Sequence, residues 1–158
     1  TQLLEQPEPL FLILENLRDP GNLGTMIRTG EGAGITGVIM NCQTVDIFNP
    51  KTIRATMGSI FRVPFVYVPE LSPVLTQMHE KGIHTYAAHL KGKEYYDSFS
   101  FREPTAFLIG NEGNGLTKEI SDQSGQYLKI PMEGKVESLN ASIAAALLMY
   151  EAHRQRKL

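Results

Sequence analysis

A chain of 158 residues is the usual size of a single domain, and its 42% hydrophobic and 20% charged residues supply the apolar material for a folded core. No apolar run approaches the roughly 18 residues that a membrane-spanning helix needs. The lone Cys42 excludes an internal disulfide and favours a reducing cytoplasm. Because the formal net charge is −2, binding of nucleic acid through bulk electrostatics is disfavoured, and any RNA site must be a local patch.

Short apolar runs alternate with amphipathic segments along the chain. Taken in chain order, the pattern predicts strands at residues 10–14, 38–40, 65–68, 83–88, 106–109 and 127–130 and helices at 22–33, 50–57, 71–81 and 139–154. Residues 91–103 are polar and aromatic, and we expect a loop with a short element there. Strands that alternate with helices imply an α/β fold with a mostly parallel sheet flanked by helices. We expect one domain at 10–158, preceded by a linker at 1–9.

Three glycines, Gly30, Gly32 and Gly34, suggest at first a dinucleotide-binding loop. That loop requires a strand, then the glycines, then the start of a helix. Here the glycines follow a helix and precede a strand, so we interpret them as the end of that helix and a turn. The absence of the required context disfavours a nucleotide-dependent oxidoreductase.

Three segments that follow predicted strands carry the polar residues of interest, because ligands of such sheets bind at the carboxyl ends of the strands. They are residues 16–34, 107–116 and 130–146. The middle segment reads GNEGNG from Gly110 and precedes a short helix that Thr117 is placed to cap. Each segment also has a plain structural explanation: a tight surface turn for the middle one, N-capping for Asn22, Ser138 and Asn140, and a solvated helix position for Arg28.

Together the three segments resemble the signature motifs of the SpoU/TrmH-type RNA 2′-O-methyltransferases of the SPOUT superfamily, in the same order and over about residues 10–154. The matched positions are Asn22 and Arg28 in NLGTMIRTGEGAG, Glu112 in GNEGNGL, and Ser138, Asn140 and Ser142 in IPMEGKVESLNASIAAA. The resemblance implies transfer of a methyl group from S-adenosylmethionine to a ribose 2′-hydroxyl of RNA. A non-catalytic RNA-binding module with the same fold is the alternative, and binding of the cofactor would separate the two.

The resemblance also implies features that pattern reasoning alone would not choose. The C-terminal segment is expected to form a trefoil knot, against the general rule that chains are not knotted. A homodimer is expected, with an active site that draws on both subunits. Gly110, Ile130 and Leu139 are expected to bind S-adenosylmethionine largely through backbone atoms, with a less certain contribution from residues 88–90.

Arg28 takes the central catalytic role that the resemblance implies. A guanidinium keeps its proton in proteins, so we expect Arg28 to clamp an RNA phosphate and stabilise the developing alkoxide rather than to act as a base. Asn22, Ser138 and Asn140 are expected to orient the ribose and Arg28. Glu112 is expected to fix its loop or to pair with Arg28. This chemistry needs no metal, and the four histidines lack the spacing of metal ligands.

The RNA itself is open at this stage. Lys51, Arg54 and Arg62 form the candidate basic patch, although an ordinary solvated face explains them equally well. Because the chain begins at Thr1, we expect an RNA-binding domain upstream, as is common among members that act on ribosomal RNA. Large-subunit 23S ribosomal RNA is therefore preferred to transfer RNA as the substrate.

Overall fold

The computed structural model describes residues 2–157, which form one parallel sheet with helices on both faces. The strands are β1 (Leu10–Leu14), β2 (Gly37–Asn41), β3 (Phe65–Val68), β4 (His84–Ala88), β5 (Thr105–Ile109) and β6 (Gln126–Leu128). They lie in the order β3-β2-β1-β5-β4-β6, and every neighbouring pair is parallel. The predicted α/β fold with a mostly parallel sheet is confirmed.

The described residues include five α-helices, of which four lie between strands and the fifth follows β6. They are α1 (Pro20–Ala33), α2 (Pro50–Thr56), α3 (Ser72–Glu80), α4 (Lys118–Gln123) and α5 (Ala141–Arg156), and 3₁₀ turns occur at Gln2–Glu5, Ser59–Phe61 and Tyr96–Ser98. Within residues 2–157, none of the helices has the length and apolar character needed to cross a membrane. The first 3₁₀ turn lies in the segment expected to be a linker, and it buries Leu4.

The two faces of the sheet carry separate cores, as the two-residue period of a strand requires. On β1, Leu12 and Leu14 face the helices α1 and α5, whereas Phe11 and Ile13 face α3 and α4. All five side chains of this strand are buried. A strand that is covered on both faces is apolar throughout, which is why 10–14 is an unbroken hydrophobic run.

Helices α1 and α5 run side by side in the same direction. The side chains of Asn22 and Asn140 meet near their N-terminal ends. Near their C-terminal ends, a Cβ added to Gly32 would lie 2.6 Å from the hydroxyl of Tyr150. Arg28 therefore lies on a helix that is fixed along its length to the last helix of the chain.

The start of α1 and the position of its glycines differ from the prediction. The helix begins at Pro20, and Asp19 caps it by accepting a hydrogen bond from the backbone amide of Asn22, so Asn22 lies inside the first turn. Gly30 and Gly32 lie within α1, and only Gly34 forms the left-handed C-cap. A Cβ on Gly30 would lie 2.4 Å from Ile35, so tight packing accounts for this glycine.

Two further boundaries bear on the candidate site. Strand β6 ends at Leu128, which places Ile130 in the segment after the strand. Helix α5 begins at Ala141 with Asn140 as its N-cap, so Leu139 also lies outside regular structure.

Candidate functional site

The carboxyl ends of β1 and β5 lie side by side, and two carboxylates join the loops that follow them. Glu15 follows β1 directly and is only 5% exposed. Its carboxylate accepts hydrogen bonds from the backbone amide of Thr117 at 2.7 Å and from the Thr117 hydroxyl at 2.9 Å. Because Thr117 caps α4, Glu15 anchors the start of that helix to the end of β1.

Glu112 makes the reciprocal connection from the loop after β5. Its carboxylate accepts from the backbone amide of Arg18 at 2.8 Å and from that of Asp19 at 3.1 Å. These amides precede α1, so Glu112 fixes the segment that leads into the helix of Arg28. This carboxylate joins the loop after β5 to the segment before α1. The described contacts include no pairing of Glu112 with Arg28.

Three asparagines complete this junction. The side chain of Asn111 donates to the backbone carbonyl of Asn16 at 2.8 Å. The Asn41 amide, at the end of β2, donates to the Asn16 side chain at 2.8 Å and accepts from the Asn16 backbone amide at 2.9 Å. Asn16 has a positive φ of 57°, a conformation that asparagine tolerates better than most residues. The ends of β1, β2 and β5 are therefore bonded into one unit, which we call the strand-end junction: Glu15, Asn16, Asn41, Asn111 and Glu112.

Asn140 brings the third segment to the first. Its side-chain oxygen accepts from the backbone amides of Ser142 at 2.8 Å and Ile143 at 3.3 Å, which is ordinary N-capping of α5. Its side-chain nitrogen is left to donate to the Asn22 oxygen at 3.1 Å. The capping explanation is thus correct for Asn140, and it coexists with a contact that ties two of the motif segments together.

Arg28 is exposed on α1, and its side chain makes no hydrogen bond or ion pair with any residue of the range 2–157. One turn before it, Gly24 allows α2 to approach so closely that an added Cβ would lie 2.5 Å from both Ala55 and the carbonyl of Thr52. One turn after it, Glu31 is bonded to the 3₁₀ turn that follows α2. The guanidinium of Arg28 therefore stands free on a helix that is held on either side.

The residues expected to contact a cofactor share one property. Among residues 2–157, the backbone amides and carbonyls of Gly110, Ile130 and Leu139 take part in no hydrogen bond outside regular structure. The same holds for Ser138, and no hydrogen bond joins residues 131–139 to another segment of the described chain. These backbone groups are available to a ligand at the carboxyl edge of the sheet.

Gly110 has a further requirement that the sequence did not reveal. A Cβ built on it would lie 2.1 Å from the backbone nitrogen of Leu116 and 2.2 Å from the carbonyl carbon of Gly115. The loop closes on itself at this point, with Asn111 and Gly115 exchanging backbone hydrogen bonds. A side chain at Gly110 is therefore blocked by the protein's own chain.

The candidate basic patch is smaller than its sequence suggests. Lys51 and Arg54 are exposed, but Arg62 pairs with Glu31 on α1, to which it donates from Nη2 at 3.0 Å. Hydrogen bonds from Arg62 and Ser59 lower the pKa of the Glu31 carboxyl. The charge of Arg62 is thus partly neutralised.

Sequence reasoning missed most of the strand-end junction. Glu15, Asn16, Asn41 and Asn111 were not singled out, although each lies within two residues of the end of an apolar strand. A charged or amide side chain at that position is a usable signal, because the carboxyl ends of parallel strands lie at one edge.

Comparisons with known proteins identify relatives of this chain. The model of the SpoU rRNA methylase family matches residues 9–150. A Bacillus subtilis protein named 23S rRNA (guanosine(2553)-2'-O)-methyltransferase RlmP is 37% identical over 139 residues, which are 88% of this chain and 56% of that protein.

Two crystal structures with AdoMet are also similar. That of the SpoU methyltransferase AviRb from Streptomyces viridochromogenes has 32% identity and a TM-score of 0.90, covering 96% of this chain and 59% of its own. That of an rRNA methyltransferase from Sinorhizobium meliloti has 36% identity and a TM-score of 0.89, with the same coverage. The chain spans less than two thirds of the length of these relatives.

Proposed function

This chain belongs to the SpoU rRNA methylase family, as its motifs indicated, and from that premise we propose that it is the catalytic domain of an RNA 2′-O-methyltransferase. It transfers the methyl group of S-adenosylmethionine to a ribose 2′-hydroxyl of structured RNA. The observation that carries the proposal is the convergence of the three motif segments, which are joined by the Asn22–Asn140 contact and by the bonds from Glu112 to Arg18 and Asp19. Binding of the cofactor separates this enzyme from a non-catalytic RNA-binding module, which has no use for a methyl donor.

The residues at the sheet edge fit S-adenosylmethionine. The free backbone groups of Gly110, Ile130 and Leu139 can hold its polar atoms, and their small or apolar side chains suit a contact made through the backbone. The bound cofactor supplies an electrophilic methyl group on a sulfonium. The protein's own task is then to position the ribose and to handle the proton that its hydroxyl loses.

Arg28 acts on the hydroxyl as a fixed positive charge. Its guanidinium presents two parallel N–H donors to an RNA phosphate and stabilises the oxygen as negative charge develops. The proton passes to the phosphate or to water, because a guanidinium has no lone pair with which to accept it. Asn22, Asn140 and Ser138 orient the ribose, and Glu112 holds the segment before α1 in place.

Ribosomal RNA, of the 23S class, is the substrate we favour over transfer RNA. It is supported by the names of the relatives from Bacillus subtilis and Sinorhizobium meliloti and by the length those relatives have beyond the matched region. We propose that a domain N-terminal to residues 10–158 adds recognition of that RNA. The enzyme is proposed to work in the cytoplasm.

A homodimer with a shared active site is part of the proposal. Helix α5 exposes Ile143, Leu147 and Tyr150 along one stripe beside α1, and a second subunit would cover it. Light scattering at micromolar concentration should give the mass of two chains.

We also propose that the C-terminal segment is threaded as the trefoil knot of the superfamily, which an experimental structure traced through residues 105–141 would test.

The experiment that tests the activity uses tritiated S-adenosylmethionine with separate ribosomal and transfer RNA fractions from a strain that lacks the gene. Label should enter 23S ribosomal RNA in dinucleotides that resist alkaline hydrolysis, since a 2′-O-methyl group removes the nucleophile of that cleavage. Arg28→Ala is the matched inactive control. Label in alkali-labile nucleotides would show that the methyl group is on a base and would overturn the proposal. Label in transfer RNA alone would overturn the choice of substrate.

A further inference from the structure

The surface formed by α2 and the 3₁₀ turn after it has an unusual charge pattern. Between Asp46 and Glu70 the chain has no acidic residue, whereas Lys51, Arg54 and Arg62 all lie in that stretch. The whole chain, by contrast, has 17 acidic and 15 basic residues. Neither Lys51 nor Arg54 forms an ion pair among residues 2–157. Glu31 of α1 also reaches this surface, where it pairs with Arg62, so the cations left for a polyanion are Lys51 and Arg54.

Phe61 stands at the tip of this surface with 87% of its area exposed. Its neighbour Ile60 is buried in the core, so the turn sends one side chain inward and the next outward. Single exposed apolar residues are ordinary. The distinguishing feature of Phe61 is that the backbone of its turn is held in place.

The residues on either side of Ile60 and Phe61 are both bonded to Glu31. Ser59 is buried and donates its hydroxyl to Glu31 at 2.8 Å, and Arg62 forms an ion pair with the same carboxylate. Glu31 lies on α1, one turn beyond Arg28. The aromatic ring is therefore attached, through a short and bonded turn, to the helix that carries the proposed catalytic group.

We propose that Phe61 is a stacking platform for an unpaired nucleobase of the RNA substrate, with Lys51 and Arg54 holding the adjoining phosphates. Unpaired bases bind proteins by stacking on aromatic rings beside a positively charged surface. Because contacts with Glu31 already hold the backbone of this turn, only the side-chain rotation of Phe61 is restricted on binding. The proposal rests on the proposed function, since it places a nucleotide near the target ribose.

The absence of tryptophan from the chain makes the test direct. Phe61→Trp introduces a single indole, which a stacked base quenches. The probe is an oligoadenylate RNA of about 12 nucleotides, carrying a terminal dye so that anisotropy measures binding separately. Gln77→Trp is the control, because Gln77 is exposed on α3, on the opposite face of the sheet. We expect saturable quenching in Phe61→Trp and none in Gln77→Trp.

Affinity provides the second measurement. Phe61→Ala should weaken binding of the same probe by about 5- to 150-fold, and Phe61→Tyr should retain most of it. Because the side chain is exposed, thermal melting should not change. Binding by anisotropy without quenching of Phe61→Trp would overturn the platform and leave the proposed function standing. Phe61→Ala could also turn a dimer into a monomer, as measured by light scattering, while the RNA affinity stays unchanged. That result would show that the surface is a protein interface and would overturn the platform. No binding of the oligoadenylate probe by the unaltered chain would overturn the platform, whereas the proposed function is tested separately by methyl transfer to 23S ribosomal RNA.

Discussion

The polar residues at the carboxyl edge of the sheet fall into two groups, which differ in whether their polar groups form hydrogen bonds within the protein. Glu15, Glu112 and Asn140 are each bonded to two or more groups of distant segments or of a helix start. Arg28 and residues 131–139 have no such partner among residues 2–157. The first group gives the site its shape before any ligand arrives. The second group is free to bind, so we expect the two to respond differently to substitution.

The largest effect is expected at Arg28, because in its proposed role its contacts form with RNA and are strongest in the transition state. Arg28→Ala should lower the single-turnover rate of methyl transfer by roughly 100- to 1,000-fold or more, with little change in cofactor affinity or thermal stability. Arg28→Lys keeps a cation without the bidentate fork and should retain part of the rate. A parallel loss of cofactor affinity in calorimetry would place Arg28 among the shape-giving residues instead.

The same assay distinguishes a charged clamp from a base. With cofactor and RNA saturating, the rate should rise log-linearly with pH up to about pH 10, because the group that loses its proton is the ribose hydroxyl. A plateau near neutral pH that disappears in Arg28→Lys would show instead that the arginine titrates.

Gly110 should show the next largest effect, through cofactor affinity. In Gly110→Ala the new methyl group meets the backbone of Gly115 and Leu116, so the loop must open and the affinity for S-adenosylmethionine should fall about tenfold or more. Gly113→Ala is the matched control in the same loop, since its Cβ would have 3.5 Å to the nearest atom, an ordinary contact. Calorimetry should find Gly113→Ala close to the unaltered chain. Equal affinities in both variants would contradict the geometry of the loop.

The two carboxylates of the strand-end junction should differ in stability rather than in rate. Glu15→Gln replaces a buried charged acceptor with a neutral amide, and the Thr117 hydroxyl, which now donates to the carboxylate, would have to turn and accept, so the free energy of unfolding should fall by about 1–3 kcal/mol. Glu112→Gln should cost less, because solvent can satisfy that exposed position. Urea denaturation measures both. If Glu112→Gln lowered the free energy of unfolding more than Glu15→Gln does, burial would not determine which of the two carboxylates stabilises the fold more.

The smallest effect concerns residues 131–139. Since no hydrogen bond joins them to the rest of the described chain, their amides should exchange with deuterium quickly in the free protein and several-fold more slowly with S-adenosylmethionine. Amides of β1 serve as the internal control and should not change. If the cofactor left residues 131–139 unaffected, Leu139 would be removed from the cofactor site.

Local chemistry explains which features could be predicted from the sequence. The apolar runs placed β1 and β3 at their observed bounds, because a fully or partly buried strand is recognisable from its own side chains. Thr117 and Asn140 are N-caps, a role that depends on residues two or three positions away. The motif residues were sufficient to identify the family. Because the three segments each follow a strand of a parallel sheet, the sequence also predicted that they lie at one edge of it.

The tertiary structure decided everything that depends on residues far apart in the chain. Glu15 meets Thr117 across 102 positions, Arg18 meets Glu112 across 94, and Asn22 meets Asn140 across 118. Periodicity and capping rules apply to residues that are close in sequence, so they cannot predict such pairs. The start of α1 at Pro20 depends on the local cap Asp19 and the proline after it, a signal that the prediction overlooked. The burial of Glu15 and the partial neutralisation of Arg62 by Glu31 were not predictable. Each arises because the fold brings a second segment within hydrogen-bonding distance.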